Sequence, residues 1–196
     1  YENTAYLPLA FLTEKELAEV EFSDSNVFRL QNRIFSAAAG ITGDVWHQLP
    51  ESSLSITALD AELTSQTGTG YCTYQTEQNK SGSVTYSYTA DREGFLCIDL
   101  DLSKRNSYSV WKNGSQLYSE THSLHQMIAV SDVLPGDVIE IKLTCKANEK
   151  GTNTIQAAIL NDALFQQAYD VLNACTLSAT SAYCFPFIFV LFIVAF

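Results

Sequence analysis

The stretch SVTYSYTADREGFLCIDLDL, residues 83–102, decides the fold class of this chain. Apolar or aromatic side chains alternate with polar ones, from Val84 to Tyr88 and again from Leu96 to Leu102. This period of two predicts strands that bury one face. The polar turn sequence DREG separates the two runs, so together they predict a pair of antiparallel strands.

Segments with similar strand character continue on both sides of this pair. They are LSITALD (54–60), SYSVWKNG (107–114), QLYSE (116–120), HQMIAV (125–130), DVIEIKLTC (137–145) and TIQAAIL (154–160). Asn113-Gly114 predicts a two-residue hairpin turn with positive φ, and Pro135-Gly136 predicts a type II turn. Short strands at this spacing predict a mainly β fold, an antiparallel two-sheet sandwich of the jelly-roll kind with short flanking helices.

Helical spacing is confined to the flanks of this region. Residues 13–20 begin with Thr13 as a cap and Glu16 three positions later, and residues 26–40 end at Gly40. A further helix is predicted near 163–173. We therefore expect a helical and loop segment at 1–50 that packs on the sandwich, and a sandwich domain at 51–177 that includes the last helix.

Residues 178–196 are interpreted as an apolar tail. Its last part, FPFIFVLFIVAF at 185–196, contains no polar side chain. A helix of that length spans roughly 18 Å, against about 30 Å of bilayer hydrocarbon. Three interpretations stay open: a truncated membrane span, an apolar segment buried in the domain, or an aberrant end of the reading frame.

Composition excludes one class of partner. The chain has 196 residues, 46% of them hydrophobic, and a formal net charge of -11. Because nucleic-acid phosphates require a basic surface, we expect no nucleic-acid partner. Its five cysteines form no C-x-x-C pair, and Cys97 and Cys145 lie within strand patterns, which is typical of free thiols in a core.

No motif in the sequence predicts a catalytic, metal or cofactor site. The chain has three histidines, and His122 and His125 are expected in solvent. Asp99 and Asp101 share a strand face, which suits either a glycan hydrolase or an exposed polar face. No phosphate-binding loop or nucleophile elbow occurs. We therefore expect no catalytic residue, no metal and no cofactor.

Aromatic side chains provide the remaining binding hypothesis. Exposed rings on a sheet stack on sugar faces, and Tyr86, Tyr88, Tyr108 and Trp111 are the candidates for such stacking. The alternative is that these rings fill the core and pack across strands, as aromatic residues in sheets usually do.

Taken in order, several segments resemble one family. They are YENTAYLPLAF (1–11), NVFRLQNRIFSAAAG (26–40), SGSVTYSYTADREGFLCIDLD (81–101), VWKNG (110–114), VLPGDVIEIKL (133–143) and FQQAYDVLN (165–173). Together, from Tyr1 to about Leu177, they look like the C-terminal extracytoplasmic region of the YfhO family of bacterial multi-spanning membrane proteins, in its Firmicutes form. Residues 178–196 depart from the family pattern, which continues with further β structure and a last membrane helix.

The resemblance implies a function that the residues alone do not. Family members look like glycosyltransferases of the GT-C type, which use lipid-linked sugars to glycosylate cell-envelope polymers outside the membrane. The resemblance implies that their catalytic acid lies in a membrane loop that has no counterpart here. The implied role is a non-catalytic extracytoplasmic accessory domain at the bacterial cell membrane. Its partners would be the membrane domain of the same protein and a glycan or envelope polymer. A purely structural module and an independent glycan hydrolase are the alternatives.

Overall fold

The computed structural model describes residues 15–174, in which nine strands, two α-helices and two short 3₁₀ helices form. The Thr13 cap and the tail at 178–196 lie outside these residues. The strands are β1 (Trp46–Gln48), β2 (Leu54–Leu59), β3 (Ala61–Gln66), β4 (Tyr71–Thr76), β5 (Gly82–Thr89), β6 (Gly94–Lys112), β7 (Ser115–Val133), β8 (Val138–Cys145) and β9 (Lys150–Leu160). The helices are α1 (Val27–Ala39) and α2 (Asp162–Ala174), and the 3₁₀ helices are Lys15–Glu19 and Glu51–Ser53.

The predicted mainly β, antiparallel fold is confirmed. The strand pairs among the described residues are all antiparallel. The hydrogen-bonded order is β2-β5-β8-β6-β9-β4-β3, and in addition β7 pairs with β6 and β1 pairs with β9. Strand β6 belongs to both layers, since residues 107–112 pair with β8 and residues 96–102 pair with β9. The sheet thus folds over at β6 into two facing layers and nearly closes on itself.

The core lies between the two layers. Alternation along β5, β6, β8 and β9 directs one set of side chains inward. Tyr86 on one layer and Cys72 on the other are both fully buried, and their Oη and Sγ atoms lie 2.8 Å apart. The largest fully buried side chains are Tyr74, Tyr86, Tyr108, Phe28, Leu96, Ile98, Leu100, Ile128, Ile139, Ile141, Leu143 and Ile155.

Two pairs of predicted strand segments each form one long strand in the structure. One pair forms β6, and the segments at 116–120 and 125–130 form parts of β7. Residues 95–102 and 107–112 are both parts of β6, because the connecting residues 103–106 contain no proline or glycine that would end a strand. The pairing of β6 with β7 shifts register between Asp101 and Asn106, where the strand passes from one layer to the other. The pattern did not predict β1, β3 or β4, in which Thr, Ser and Gln obscure the alternation.

The predicted turn geometry is confirmed. Asn113 and Gly114 have φ values of 51° and 77°, and the flanking Lys112 and Ser115 are paired. In the following turn Gly136 has a φ of 89°, and the amide of Asp137 donates to the carbonyl of Leu134 over 3.0 Å. This is the type II turn that Pro135-Gly136 predicted.

Asp137 connects these two turns through hydrogen bonds and an ion pair. Its carboxylate accepts from the Asn113 side-chain amide and from the Leu134 backbone amide, each over 2.8 Å, and lies 3.1 Å from Lys112 Nζ. The hydrogen bond from Asn113, then that from Leu134, lower the pKa of Asp137 to about 2. A carboxyl group whose pKa is lower in the folded state than in the unfolded state stabilises the fold. This stabilisation is present at pH values above the pKa of the group in the unfolded chain, which is about 4.

We expect Asp137→Asn to remove part of the acid sensitivity of the fold. In the unchanged chain this contribution is complete above about pH 4 and is lost as the pH falls through about 2. The variant should be less stable near neutral pH and should approach the unchanged chain at low pH. Urea unfolding midpoints measured across this range provide the test, with the exposed Asp132→Asn as the control. Parallel pH profiles for Asp137→Asn and the unchanged chain would contradict this account.

The chain divides into two compact units. Residues 26–29 and 46–161 form the strand unit. The second unit includes residues 30–45 and the described residues that flank the strands at both ends. Within it, the rings of Phe35 and Phe165 meet edge to face with centroids 5.9 Å apart, and Arg33 Nη2 donates to the carbonyl of Glu21 over 2.8 Å. The helices predicted at 26–40 and near 163–173 are confirmed as α1 and α2, and Gly40 follows α1 with a φ of 61°.

Candidate functional site

The outward surface of the layer that contains β4, β9, β6 and β7 carries a row of polar side chains. Tyr71 pairs with Thr154, Thr154 with Asp101, and Asp101 with His125, so these four residues lie side by side across four strands. Paired residues on adjacent strands point to the same side of a sheet. The row is therefore a continuous surface in which Tyr71 and Asp101 lie two strands, or about 10 Å, apart.

A second row lies one step further along the same strands. Gln156 pairs with Asp99, and Asp99 pairs with Met127, whose side chain is 43% exposed. We call the surface formed by both rows the polar face. It is defined by Tyr71, Asp99, Asp101, His125, Met127, Thr154 and Gln156.

The two carboxylates of the polar face differ in their environments. Asp101 is exposed, whereas the Asp99 side chain is 13% exposed and its Oδ1 lies 3.2 Å from Nε2 of His125. Burial raises the pKa of Asp99, and Asp101 adds to this effect while His125 opposes it. The predicted shared face of Asp99 and Asp101 is confirmed, and it faces outward. His125 is 61% exposed, and the side chain of His122 lies outside what the structure describes.

Three of the four predicted stacking rings do not lie on any surface. Tyr86, Tyr88 and Tyr108 have exposures of 0%, 4% and 2%, because alternation turns each of them toward the core. Covered rings cannot stack on a sugar, so for these three the alternative of core packing is correct. Trp111 is half-buried on the outward side of the other layer, where its indole Nε1 donates to Ser109 Oγ over 2.8 Å, and for it stacking stays a prediction.

Tyr71 is an exposed ring of the polar face that the sequence analysis did not select. It is 37% exposed and precedes the buried Cys72 and Tyr74. The signal was present in YCTYQT, where positions 72, 74 and 76 face inward and positions 71, 73 and 75 face outward. Sequence alone did not show which of the two sets faces the core, because both contain a tyrosine.

A cleft of about 200 Å³ adjoins the polar face and shares Gln156 with it. We call it the α1 cleft, since Asn26 and Arg29 at the start of α1 line it. Its other sides come from the loop around Gly68, from Gln48 at the end of β1, and from the chain between β1 and β2, including Glu51. All these residues belong to the strand unit.

Potential metal ligands are not clustered within residues 15–174, where no three His, Cys, Asp or Glu side chains are placed to share an ion. Cys72, Cys97 and Cys145 are free and buried, and burial raises the pKa of each thiol. For Cys97 and Cys145 this confirms the prediction of free core thiols. Cys175 and Cys184 lie outside the described residues.

The amino-acid sequence matches one known family over most of its length. A model described as bacterial membrane protein YfhO matches residues 1–183, which is most of the chain. This chain therefore belongs to the YfhO family of bacterial membrane proteins, as its segments predicted. Within residues 15–174, no helix is both long enough and apolar enough to cross a bilayer. No curated protein matches the chain.

Solved structures that resemble the chain include carbohydrate-binding modules. A low-affinity xylan-binding module of family 86 from Roseburia intestinalis is 11% identical with a TM-score of 0.42, covering 61% of this chain and 98% of that one. A family 29 module variant in complex with mannohexaose is 14% identical, with a TM-score of 0.38, and covers 58% and 89% of the two chains. A family 61 module bound to β-1,4-galactotriose is 8% identical, with a TM-score of 0.36, covering 55% and 89%.

Proposed function

We propose that this chain is a non-catalytic extracytoplasmic domain of a YfhO-family membrane protein and that it contacts a glycan through the polar face. The observation that carries the proposal is the row Tyr71, Thr154, Asp101 and His125 on an outward sheet surface. It combines an exposed aromatic ring with hydrogen-bonding side chains on neighbouring strands. A sugar requires this combination, because it presents a C–H face to a ring and hydroxyl groups to polar atoms.

The polar groups of this face suit hydroxyl groups better than charges. The Asp101 side-chain oxygens accept hydrogen bonds from hydroxyls, and the Gln156 side chain is both donor and acceptor. The chain carries a net charge of -11, so an anionic polymer would be repelled from a face that itself contains two aspartates. We therefore favour a neutral or amino-bearing glycan over a phosphate-rich one.

The same geometry argues against hydrolysis by this chain. A glycosidase needs two carboxyl groups that flank the scissile bond. Asp99 and Asp101 project from the same sheet face, but Asp101 is exposed whereas the Asp99 side chain is only 13% exposed. A glycan on this surface would therefore meet one accessible carboxyl group and not two. Asp99 Oδ1 also lies 3.2 Å from Nε2 of His125.

Within the full-length protein, the partners would be its own membrane domain and the envelope polymer that it glycosylates. The family match supports the membrane association, and the resemblance to lipid-linked-sugar glycosyltransferases supports the extracytoplasmic side. The domain would hold an acceptor glycan near groups that react elsewhere in the protein.

Binding should depend on the ring of Tyr71. We expect Tyr71→Ala to weaken glycan binding roughly fivefold, the loss of about 1 kcal/mol of ring contact. The measurement is NMR or calorimetric titration of the full chain against an array of neutral, amino-bearing and phosphate-bearing envelope glycans. Affinity should be weak, because an open sheet surface buries little of its ligand.

Phe95→Ala is the matched control, because Phe95 is also 37% exposed on β6 but lies outside the polar face. Equal losses in the two variants would show a general effect of ring removal and not a site. Failure of every glycan to bind at millimolar concentration would reject the proposal and leave a purely structural module. Turnover abolished by Asp99→Asn would establish the hydrolase instead.

A further inference from the structure

We propose that the polar face ends in the α1 cleft, so that the domain binds the end of a glycan chain with one neutral sugar unit in the cleft. This inference rests on the proposed function. It adds the orientation of the bound glycan and the chemical class of its terminal sugar. It is carried by the cavity beside Gln156 and by the packing that blocks the sheet surface beyond that residue.

The sheet surface is closed just past Gln156. The next outward residue on β9 is Ala158, which is fully buried together with Phe28 and the nearly buried Cys97. The rings of Phe28 and Trp46 lie 5.3 Å apart in this Phe28 cluster. A glycan that lies along the polar face therefore cannot continue along β9 beyond Gln156.

The edge of the cleft is held in place by the start of α1. Asn26 Oδ1 accepts from the backbone amide of Arg29 over 2.9 Å, which is an N-cap bond. The Asn26 side-chain amide also donates to Gln48 Oε1 over 2.7 Å. Gln48 lies in β1 opposite Ala158, so these bonds connect the helix start to the sheet. A preformed edge loses little entropy on binding.

The side chains of the cleft match a neutral, hydroxyl-rich ring. Arg29 offers donors, Glu51 offers acceptors and Gln48 offers both, while Leu49 and Leu54 supply apolar surface. A phosphate or a carboxylate would meet the Glu51 carboxylate as well as the Arg29 guanidinium, so these two side chains together give the cleft no net positive charge that would favour an anionic ligand. The volume of about 200 Å³ lies below the roughly 300–1,000 Å³ of pockets for drug-sized ligands, so it suits one sugar unit.

The experiment uses the neutral oligosaccharide that binds best in the array, its monosaccharide unit, and the same oligosaccharide with its terminal hydroxyls methylated. Arg29→Leu and Glu51→Leu each change an exposed side chain of the cleft and keep the backbone cap. We expect each variant to weaken binding of both the oligosaccharide and the monosaccharide about tenfold, the loss of a hydrogen bond to a charged group. End methylation should have a similar effect on the unchanged chain.

Tyr71→Ala separates this inference from the proposed function. It should weaken binding of the oligosaccharide but not of the monosaccharide, because Tyr71 lies outside the cleft. Oligosaccharide binding that survives both cleft variants and end methylation would overturn chain-end binding while leaving the polar face as a glycan site. If no glycan binds at all, the proposed function itself fails.

Discussion

Replacing Gly70 with alanine is expected to destabilise the strand unit by about 3 kcal/mol, through backbone strain together with overpacking. Gly70 has a φ of 86°, and a Cβ atom there would clash with the carbonyl oxygen of Ile155. The two residues are also joined by a hydrogen bond from the Ile155 amide to the Gly70 carbonyl, 3.1 Å long. The clash is with backbone, so no side-chain rotation relieves it.

Gly114→Ala is the control for Gly70→Ala, and urea unfolding of both variants provides the measurement. Gly114 has a similar φ of 77°, but no heavy atom lies within 4 Å of the added Cβ. It should cost only about 1 kcal/mol, the conformational term alone. Equal losses at the two positions would show that the close approach of Gly70 to Ile155 adds nothing.

The substitution at Gly70 is also expected to affect ligand binding at the candidate site. Gly68 and Thr69 of the same turn line the α1 cleft, as do Ile155 and Gln156 of the strand it contacts. If the turn moves away from β9 to make room for a methyl group, the cleft should lose its monosaccharide affinity even where the chain still folds. A folded Gly70→Ala variant with unchanged monosaccharide affinity would contradict this link.

Replacing Asn106 with alanine is expected to cost about 3 kcal/mol, from a lost buried hydrogen-bond network and the space it leaves. Asn106 is 1% exposed, and its amide donates to Tyr74 Oη over 3.0 Å and to Glu149 Oε1 over 2.9 Å. Tyr74 in turn donates to Glu149 over 2.6 Å. Burial, and then this bond to Glu149, raise the pKa of Tyr74.

Asn106→Asp separates the lost donor from the lost volume. It keeps the shape of the side chain but places a second carboxyl group beside Glu149. Burial and the like charge should raise the pKa of that aspartate, so the variant should be least stable at neutral pH and should recover as the pH falls. Chemical unfolding at several pH values measures this, and a variant as stable as the unchanged chain at neutral pH would show that the amide donor is unimportant.

These two predictions concern contacts between residues that are far apart in the chain. Gly70 meets a residue 85 positions away, and Asn106 bonds a residue 43 positions away. Sequence spacing carries no information about such pairs. The sequence contains Gly70 and the polar Asn106, but it does not indicate which distant residues they contact.

Local features were determined by the sequence itself. Alternation fixed the antiparallel β class, Asn113-Gly114 fixed a tight hairpin, and helical spacing placed α1 and α2. Each depends on backbone conformation or on the period of neighbouring side chains, which are short-range properties. Family membership also followed from segment order, because that order is itself a property of the sequence.

Only the tertiary structure decided which rings are exposed and where a ligand would lie. Tyr71, Tyr86 and Tyr88 all occur in alternating segments, yet one faces solvent and two face the core. Alternation assigns residues to two faces but does not identify the face that the second layer covers. The polar face and the α1 cleft exist because β4, β9, β6 and the start of α1 come together after long connections. Their assembly depends on packing between layers, and no local pattern in the chain records it.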